Sequence, residues 1–173
     1  GVHVAIQGVG SVGGGLARYL AQQGAKLTLA DMDAERAAAL AAELGGVSVA
    51  ADAIMDVEAD IFSPCALGAI LTEGSVAGLK VKAVAGGANN QLAKGIEGRM
   101  LADRGILYAP DYVINAGGII NVLRHIDSAD DAEINRRIDT IPGRLSEIWK
   151  ESDASGSTPA EVADKMAQKL IGR

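Results

Sequence analysis

The run Gly8-Val9-Gly10-Ser11-Val12-Gly13 separates a short apolar segment, residues 2–7, from a helix-forming stretch that continues through residues 16–23. Strand, glycine turn and helix in that order admit few folds. The first glycine permits a tight turn, the second lets a ligand approach the backbone, and the third lets helix and strand pack closely. N–H groups at a helix start have no partner within the helix and lie at its positive end, so such a turn suits an anion and above all a diphosphate. Asp31 closes a second β-rich run, residues 26–30. It follows Gly13 at close to the spacing of about 20 residues at which a carboxylate reads ribose hydroxyls in dinucleotide-binding units. A 2′-phosphate placed there would meet a second negative charge, so Gly8, Gly10, Ser11, Val12, Gly13 and Asp31 together predict NAD rather than NADP unless a cation compensates. Arg36 is the candidate cation, and one turn into the next helix it reads as solvated.

The same alternation continues. Asp33 is placed to cap an Ala-rich helix over residues 34–44, with Gly45 and Gly46 ending it. Further strands are expected at 47–50, 60–63, 83–86 and 106–108, a short helix includes 54–57, and a longer one runs over 90–104. Strands alternating with helices require right-handed crossovers, which predicts an α/β fold with a doubly wound, mostly parallel sheet of the Rossmann type. From about residue 115 the pattern is wholly helical, with segments at 116–127, 130–152 and 158–171. Pro142 breaks the middle segment, and Thr158 with Glu161 forms a capping box after a hinge at 152–159. A length of 173 residues predicts one compact domain, 1–173.

Composition narrows the class of partner. The balance of 16 basic against 22 acidic residues gives −6, which argues against nucleic acid and anionic membranes as partners. No apolar run reaches the length of a membrane span. Aromatics are only 3% of the residues, so the core must pack small and branched side chains with backbones close together. The single Cys65 forms no internal disulfide, and no Cys/His cluster has zinc spacing. Together these predict a reducing, cytoplasmic setting and no structural metal. The sequence opens without Met and inside its first expected strand, as a piece of a longer polypeptide would.

Two loops follow at the carboxyl edge of the expected sheet, where ligands of doubly wound proteins bind: Ser63-Pro64-Cys65-Ala66-Leu67-Gly68 and Gly86-Gly87-Ala88-Asn89-Asn90-Gln91. The side-chain amides of the second can bond a carboxamide or a substrate, or serve as turn caps. With the glycine turn, SPCALG, GGANNQL and the run YAPDYVINAGGIINV over residues 108–122, the chain resembles the Glu/Leu/Phe/Val dehydrogenases, in the leucine, valine and phenylalanine branch. The resemblance extends to about residue 125.

The resemblance implies NAD-dependent, reversible oxidative deamination of an L-amino acid to its 2-oxo acid and ammonia. It implies that Cys65, Ala66, Leu67, Ala88, Asn89 and Asn90 line the cofactor, and that Asn115 faces the nicotinamide or the substrate. Ile119 and Val122 match positions of the substrate side-chain pocket, and their aliphatic character suits a branched or apolar amino acid, branched-chain or aromatic in this branch, rather than glutamate. The family's catalytic lysines and aspartate, and its GGxK-type segment, belong to an N-terminal domain with no match here. No catalytic residue is therefore expected in these 173 residues, and the fragment is expected to bind NAD without turnover. The full-length protein is expected to be a homo-oligomer. Lys80, Lys82, Lys94, His3 and His125 read as non-catalytic, and Cys65 as a small loop residue. The rival reading is a regulatory Rossmann domain that senses a nucleotide without chemistry; it has no obvious need for the run over 108–122.

Overall fold

Strand β1 (His3–Gln7) carries three successive buried residues, Val4, Ala5 and Ile6, so protein covers both of its faces. That is the pattern of a central strand in a parallel sheet. It pairs in parallel with β2 (Lys26–Ala30) on one side and with β4 (Ile61–Pro64) on the other. Strands β3 (Val47–Ser48), β5 (Ala83–Val84) and β6 (Leu107–Tyr108) complete six parallel strands in the order β3-β2-β1-β4-β5-β6. This is the doubly wound α/β order of the Rossmann fold, and the winding reverses between β1 and β4. The structure, a computed structural model, describes residues 1–126 and 129–172. The end of the helix expected at 116–127 and the last residue of the domain expected over 1–173 lie outside the described residues.

The chain divides into two compact units, Gly1–Tyr108 and Ala109–Arg173. In the first, α1 (Ser11–Gln22) and α2 (Ala34–Leu44) cover the β1–β2 side of the sheet. Ile6, Leu27 and Leu29 pack there with Ala17 of α1 and Ala37, Leu40 and Ala41 of α2. Alanines at the contact bring the helices close to the sheet, which is how so few aromatics still fill a core. Asp33 caps α2 as expected, its Oδ1 accepting the Arg36 N–H at 3.0 Å, and Gly45 ends the helix at φ +67°.

Three helical segments of this unit differ from expectation. The one predicted over 90–104 begins only at Ile96, as α4 (Ile96–Asp103), because residues 91–93 spend their backbone groups on the preceding loop. The Leu71 N–H donates to the Gln91 carbonyl at 3.0 Å, and the Ala93 N–H donates to the Leu71 carbonyl at 3.0 Å. The short α3 (Glu73–Gly78) is not anticipated, although Thr72 and Ser75 form a reciprocal capping box at its start. The short helix expected to include 54–57 is a single 3-10 turn, Ile54–Asp56.

The second unit comprises α5 (Asp111–Ile114), α6 (Gly117–Ile126), α7 (Asp131–Ile138), α8 (Ile141–Ser155) and α9 (Pro159–Leu170). Pro142 sits in the first turn of α8, where its missing N–H costs nothing, so the expected break is a helix start. Ile148 packs with Val162 and Ala163 to form the core of the α8–α9 pair. The Thr158–Glu161 capping box is formed, with the Thr158 N–H donating to Glu161 Oε2 at 2.7 Å.

Candidate functional site

In the turn between β1 and α1, Gly8 and Gly13 are held by packing and Gly10 is not. Gly8 has φ +87°, and a Cβ there would lie 2.7 Å from the Ala66 Cβ. A Cβ on Gly13 would overlap the Gly8 carbonyl oxygen, so only glycine lets α1 lie this close to the strand end. A Cβ on Gly10 would meet nothing within 4 Å. Gly10 is the N-cap of α1 and has no side chain to satisfy the helix's first N–H groups, and Gly10, Ser11 and Val12 are exposed. Val9 instead turns inward and joins the core. The result is an open cradle of backbone donors at the positive end of a helix, a donor set that fits a diphosphate.

Asp31 stands beside this cradle, at the end of β2, and is tied to it directly: its Oδ2 accepts the Val9 N–H at 2.7 Å. Its Oδ1 accepts the Asp33 N–H at 3.0 Å and the Arg36 Nη2 at 2.6 Å. Burial works to raise its pKa. The N–H groups of Asp33 and Val9 and the Arg36 guanidinium outweigh burial and hold the carboxyl below its usual value. Arg36 corrects the expectation from sequence: it is half exposed, but it pairs with Asp31 rather than lying in solvent. Asp31 precedes the helix that carries Arg36, so helical periodicity gives no signal for the pair.

The two later loops meet the glycine turn at the same edge. The Cys65 N–H donates to the Gln7 carbonyl at 2.7 Å, and the Ala88 N–H to the Pro64 carbonyl at 2.9 Å. A Cβ on Gly87 would lie 2.7 Å from Val12 Cγ1, which places the 86–91 loop against the start of α1. The half-buried Cys65 has its Sγ 3.5 Å from the Gly87 N–H, which donates to it, and 3.5 Å from Ser63 Oγ. Ala66 and Leu67 are exposed, Ala88 is buried, and Asn89 and Asn90 are exposed. Asn90 takes φ +51° and its carbonyl accepts the Ala69 N–H at 2.6 Å, so its backbone acts as a turn residue.

Gln91 corrects the reading from sequence, which offers the amides of this loop to a carboxamide or a substrate: its side chain turns inward. Fully buried, it donates from Nε2 to the carbonyls of Gly86 and Ala88, both at 2.9 Å, and so sets the shape of the loop.

The remaining expected residues belong to the second unit. Asn115 is half-buried at the end of α5, its N–H donating to the Asp111 carbonyl at 2.9 Å. Ile119 and Val122 stand on α6, a helix with no buried residue, and are 70% and 41% exposed. Thus the Gly8–Gly13 turn, Asp31, Cys65–Leu67 and Ala88–Asn90 come together in one unit, and Asn115, Ile119 and Val122 in the other. Lys82 and Lys94 are exposed and paired with Asp60 and Glu73. Among the described residues, no group of His, Cys, Asp or Glu could hold a metal ion, and no helix is long and apolar enough to cross a membrane.

Known proteins resemble this chain in sequence and in fold. The chain is 42% identical over 168 residues to leucine dehydrogenase of Thermoactinomyces intermedius, covering 97% of this chain and 46% of that protein. Phenylalanine dehydrogenase of Bacillus thermotolerans is 39% identical over 172 residues, covering 96% and 45% of the two chains. The crystal structure of L-tryptophan dehydrogenase from Nostoc punctiforme superposes with a TM-score of 0.95 at 37% identity, over 99% of this chain and 53% of that one. The chain thus spans about half the length of the relatives it matches. The sequence profile of the Glutamate/Leucine/Phenylalanine/Valine dehydrogenases matches residues 28–152, most of the chain and most of the sheet described above. The chain belongs to that family, in the branch of the leucine and phenylalanine enzymes.

Proposed function

We propose that this chain is the coenzyme-binding part of an NAD-dependent dehydrogenase that oxidatively deaminates an apolar L-amino acid, branched-chain or aromatic, to its 2-oxo acid and ammonia, reversibly. The observation that carries the reading is the contrast inside the glycine turn. Gly8 and Gly13 are wedged against protein, while Gly10 faces open space at an uncapped helix start with a carboxylate fixed beside it. A turn built only for compactness has no use for that opening.

When bound, the nicotinamide supplies hydride exchange with the substrate α-carbon. The chain's own residues bind and orient. Backbone N–H groups of Ser11, Val12 and Gly13, with Gly8 making the tight turn and Gly10 leaving the approach open, hold the diphosphate. Asp31 accepts a hydrogen bond from the adenosine ribose, and Cys65–Leu67 and Ala88–Asn90 line the cofactor. Asn115 faces the nicotinamide or the substrate. Ile119 and Val122 form an aliphatic wall that accepts an apolar side chain and gives a glutamate carboxylate no cation. The family's proton-transfer lysines and aspartate belong to the half of the relatives' length without a counterpart here, so the 173 residues bind coenzyme without turning it over. The full-length protein is a cytoplasmic homo-oligomer in this reading. The rival reading, a nucleotide sensor without chemistry, leaves the run over 108–122 unexplained, and the whole of that run falls in a segment that matches a family of enzymes.

Titration of the chain with NADH, followed by nucleotide fluorescence, tests this. Saturable binding is expected, with no hydride transfer from leucine, valine or phenylalanine. Gly10→Ala should leave the Tm nearly unchanged, because its Cβ enters open space, and should lower NADH affinity at least about ten-fold by occupying the diphosphate's approach. Equal NADH binding by the Gly10→Ala variant rejects the diphosphate seat, and turnover by the chain alone rejects the division of labour.

A further inference from the structure

A carboxylate offers about four lone-pair positions to donors. Asp31 already fills three of them, with the N–H groups of Val9 and Asp33 and the Nη2 of Arg36. The two partners of the ion pair are unequally free to move: the Asp31 side chain is 8% exposed and held by backbone, while that of Arg36 is 51% exposed. Arg36 is also bracketed from a second side, its Nη1 lying 3.9 Å from Asp33 Oδ2. In dinucleotide-binding folds, an arginine near this carboxylate is the group that accommodates the 2′-phosphate of NADP. Guanidinium suits that task because its planar fork of donors matches phosphate oxygens.

We infer that Arg36 is a second specificity-determining residue of the ribose site: it is a phosphate ligand that Asp31 keeps occupied, so coenzyme choice is set by the Asp31–Arg36 pair rather than by Asp31 alone. The inference rests on the coenzyme-binding reading above. In the intact pair, an incoming 2′-phosphate meets the net negative charge of Asp31, Asp33 and Arg36 taken together, and its best donor is already engaged. Ribose hydroxyls meet no such repulsion and can bond the remaining Oδ2 lone pair, or both oxygens once Arg36 turns outward. Loss of the Asp31 charge leaves Arg36 within reach of the same place with only Asp33 to hold it. The site then gains a phosphate reader without any new cation.

The test is a double-mutant cycle on the chain, reading dissociation constants for NADH and NADPH by fluorescence. The wild type is expected to prefer NADH. Asp31→Ser should weaken NADH about ten-fold and strengthen NADPH about ten-fold, the size of one charge-assisted hydrogen bond. Adding Arg36→Gln to Asp31→Ser should abolish the NADPH gain, and Arg36→Gln alone should weaken NADPH further. Asp31→Asn retains an acceptor for the Val9 N–H, which guards against misfolding of the serine variant, and should show the same Arg36-dependent gain. The gain should also shrink as salt is raised. Wild-type binding of NADH together with an NADPH gain that is absent, or equal with and without Arg36, overturns this inference alone. Failure of the folded wild type to bind either nucleotide overturns the coenzyme-binding reading and this inference with it.

Discussion

Two aspartates at opposite edges of the same sheet have nearly the same local chemistry. Asp31, after β2, accepts N–H groups from Val9 and Asp33 and pairs with Arg36. Asp60, just before β4, accepts the His3 N–H at 2.8 Å and pairs with Lys82 at 2.7 Å. Their surroundings differ. At the carboxyl edge α1 and α2 begin, so the residues entering each helix, Val9 and Asp33, donate N–H groups to a carboxylate that is 8% exposed, beside an open glycine cradle. At the amino edge helices end, and cations gather against carbonyls instead: Arg104, the C-cap of α4, donates to the carbonyls of Val76 and Leu79 at the end of α3. An open depression of about 490 Å³ lies there, lined by His3, Asp60, Lys80, Lys82 and Arg104 among others. Parallel winding thus sorts charge by edge, with uncapped backbone donors on one and surface ion pairs on the other. The same residue type braces an open glycine turn in one place and forms a surface ion pair in the other.

The largest expected effect is at Gly13. Gly13→Ala puts a Cβ into the Gly8 carbonyl oxygen, so a loss of about 1–3 kcal/mol in stability and the disappearance of NADH binding are expected by denaturant titration and fluorescence. A fully stable variant would mean that the close approach of α1 to β1 is not required.

Asp31→Ala comes next, because it strands the N–H of Val9 and should cost about 1–3 kcal/mol as well as NADH affinity. Asp60→Ala removes a more exposed partner, 34% accessible. It should lower the Tm less and leave NADH binding as it is. Equal effects of the two substitutions on NADH would erase the difference between the edges.

Acid should then act on both carboxylates. Each is held below its usual value in the folded protein. For Asp31 burial is outweighed by the N–H groups of Asp33 and Val9 and by Arg36, and for Asp60 the His3 N–H leads and Lys82 assists. A lowered folded pKa stabilises above the unfolded value of about 3.9, and that stability is lost as pH falls through the lower folded value. The Tm of the wild type should therefore fall with pH below about 4, and it should fall less steeply in Asp31→Asn and in Asp60→Asn. An unchanged slope in both would show that neither interaction is specific to the folded state. The smallest effect is expected for Lys82→Ala. Its side chain is 83% exposed, so the pair should contribute little at ordinary salt, and a thermal melt should barely move.

Legibility divides along the same line. The glycine turn, the Asp33 cap, the Gly45 stop and the Thr158–Glu161 box are contiguous in the sequence, and each states its own physics within a few residues. The parallel sheet follows from strand and helix alternation. The pairing of Arg36 with Asp31 could not be read, because it depends on the angle at which β2 delivers the chain into α2. The late start of α4 was hidden for a similar reason, since Gln91 and Leu71 draw residues 91–93 into loop pairings that outcompete a helical pattern.

The sequence alone determined a doubly wound α/β fold, a glycine turn opening a helix and a carboxylate beyond it, since backbone freedom at glycine and the periodicity of apolar residues act locally. Only the tertiary structure decided which glycine faces open space, that Gln91 turns inward to shape its loop, and that Asp31 is already engaged by a cation. Those outcomes depend on distances between segments that meet only after the sheet has assembled, and burial and charge pairing are set by that meeting.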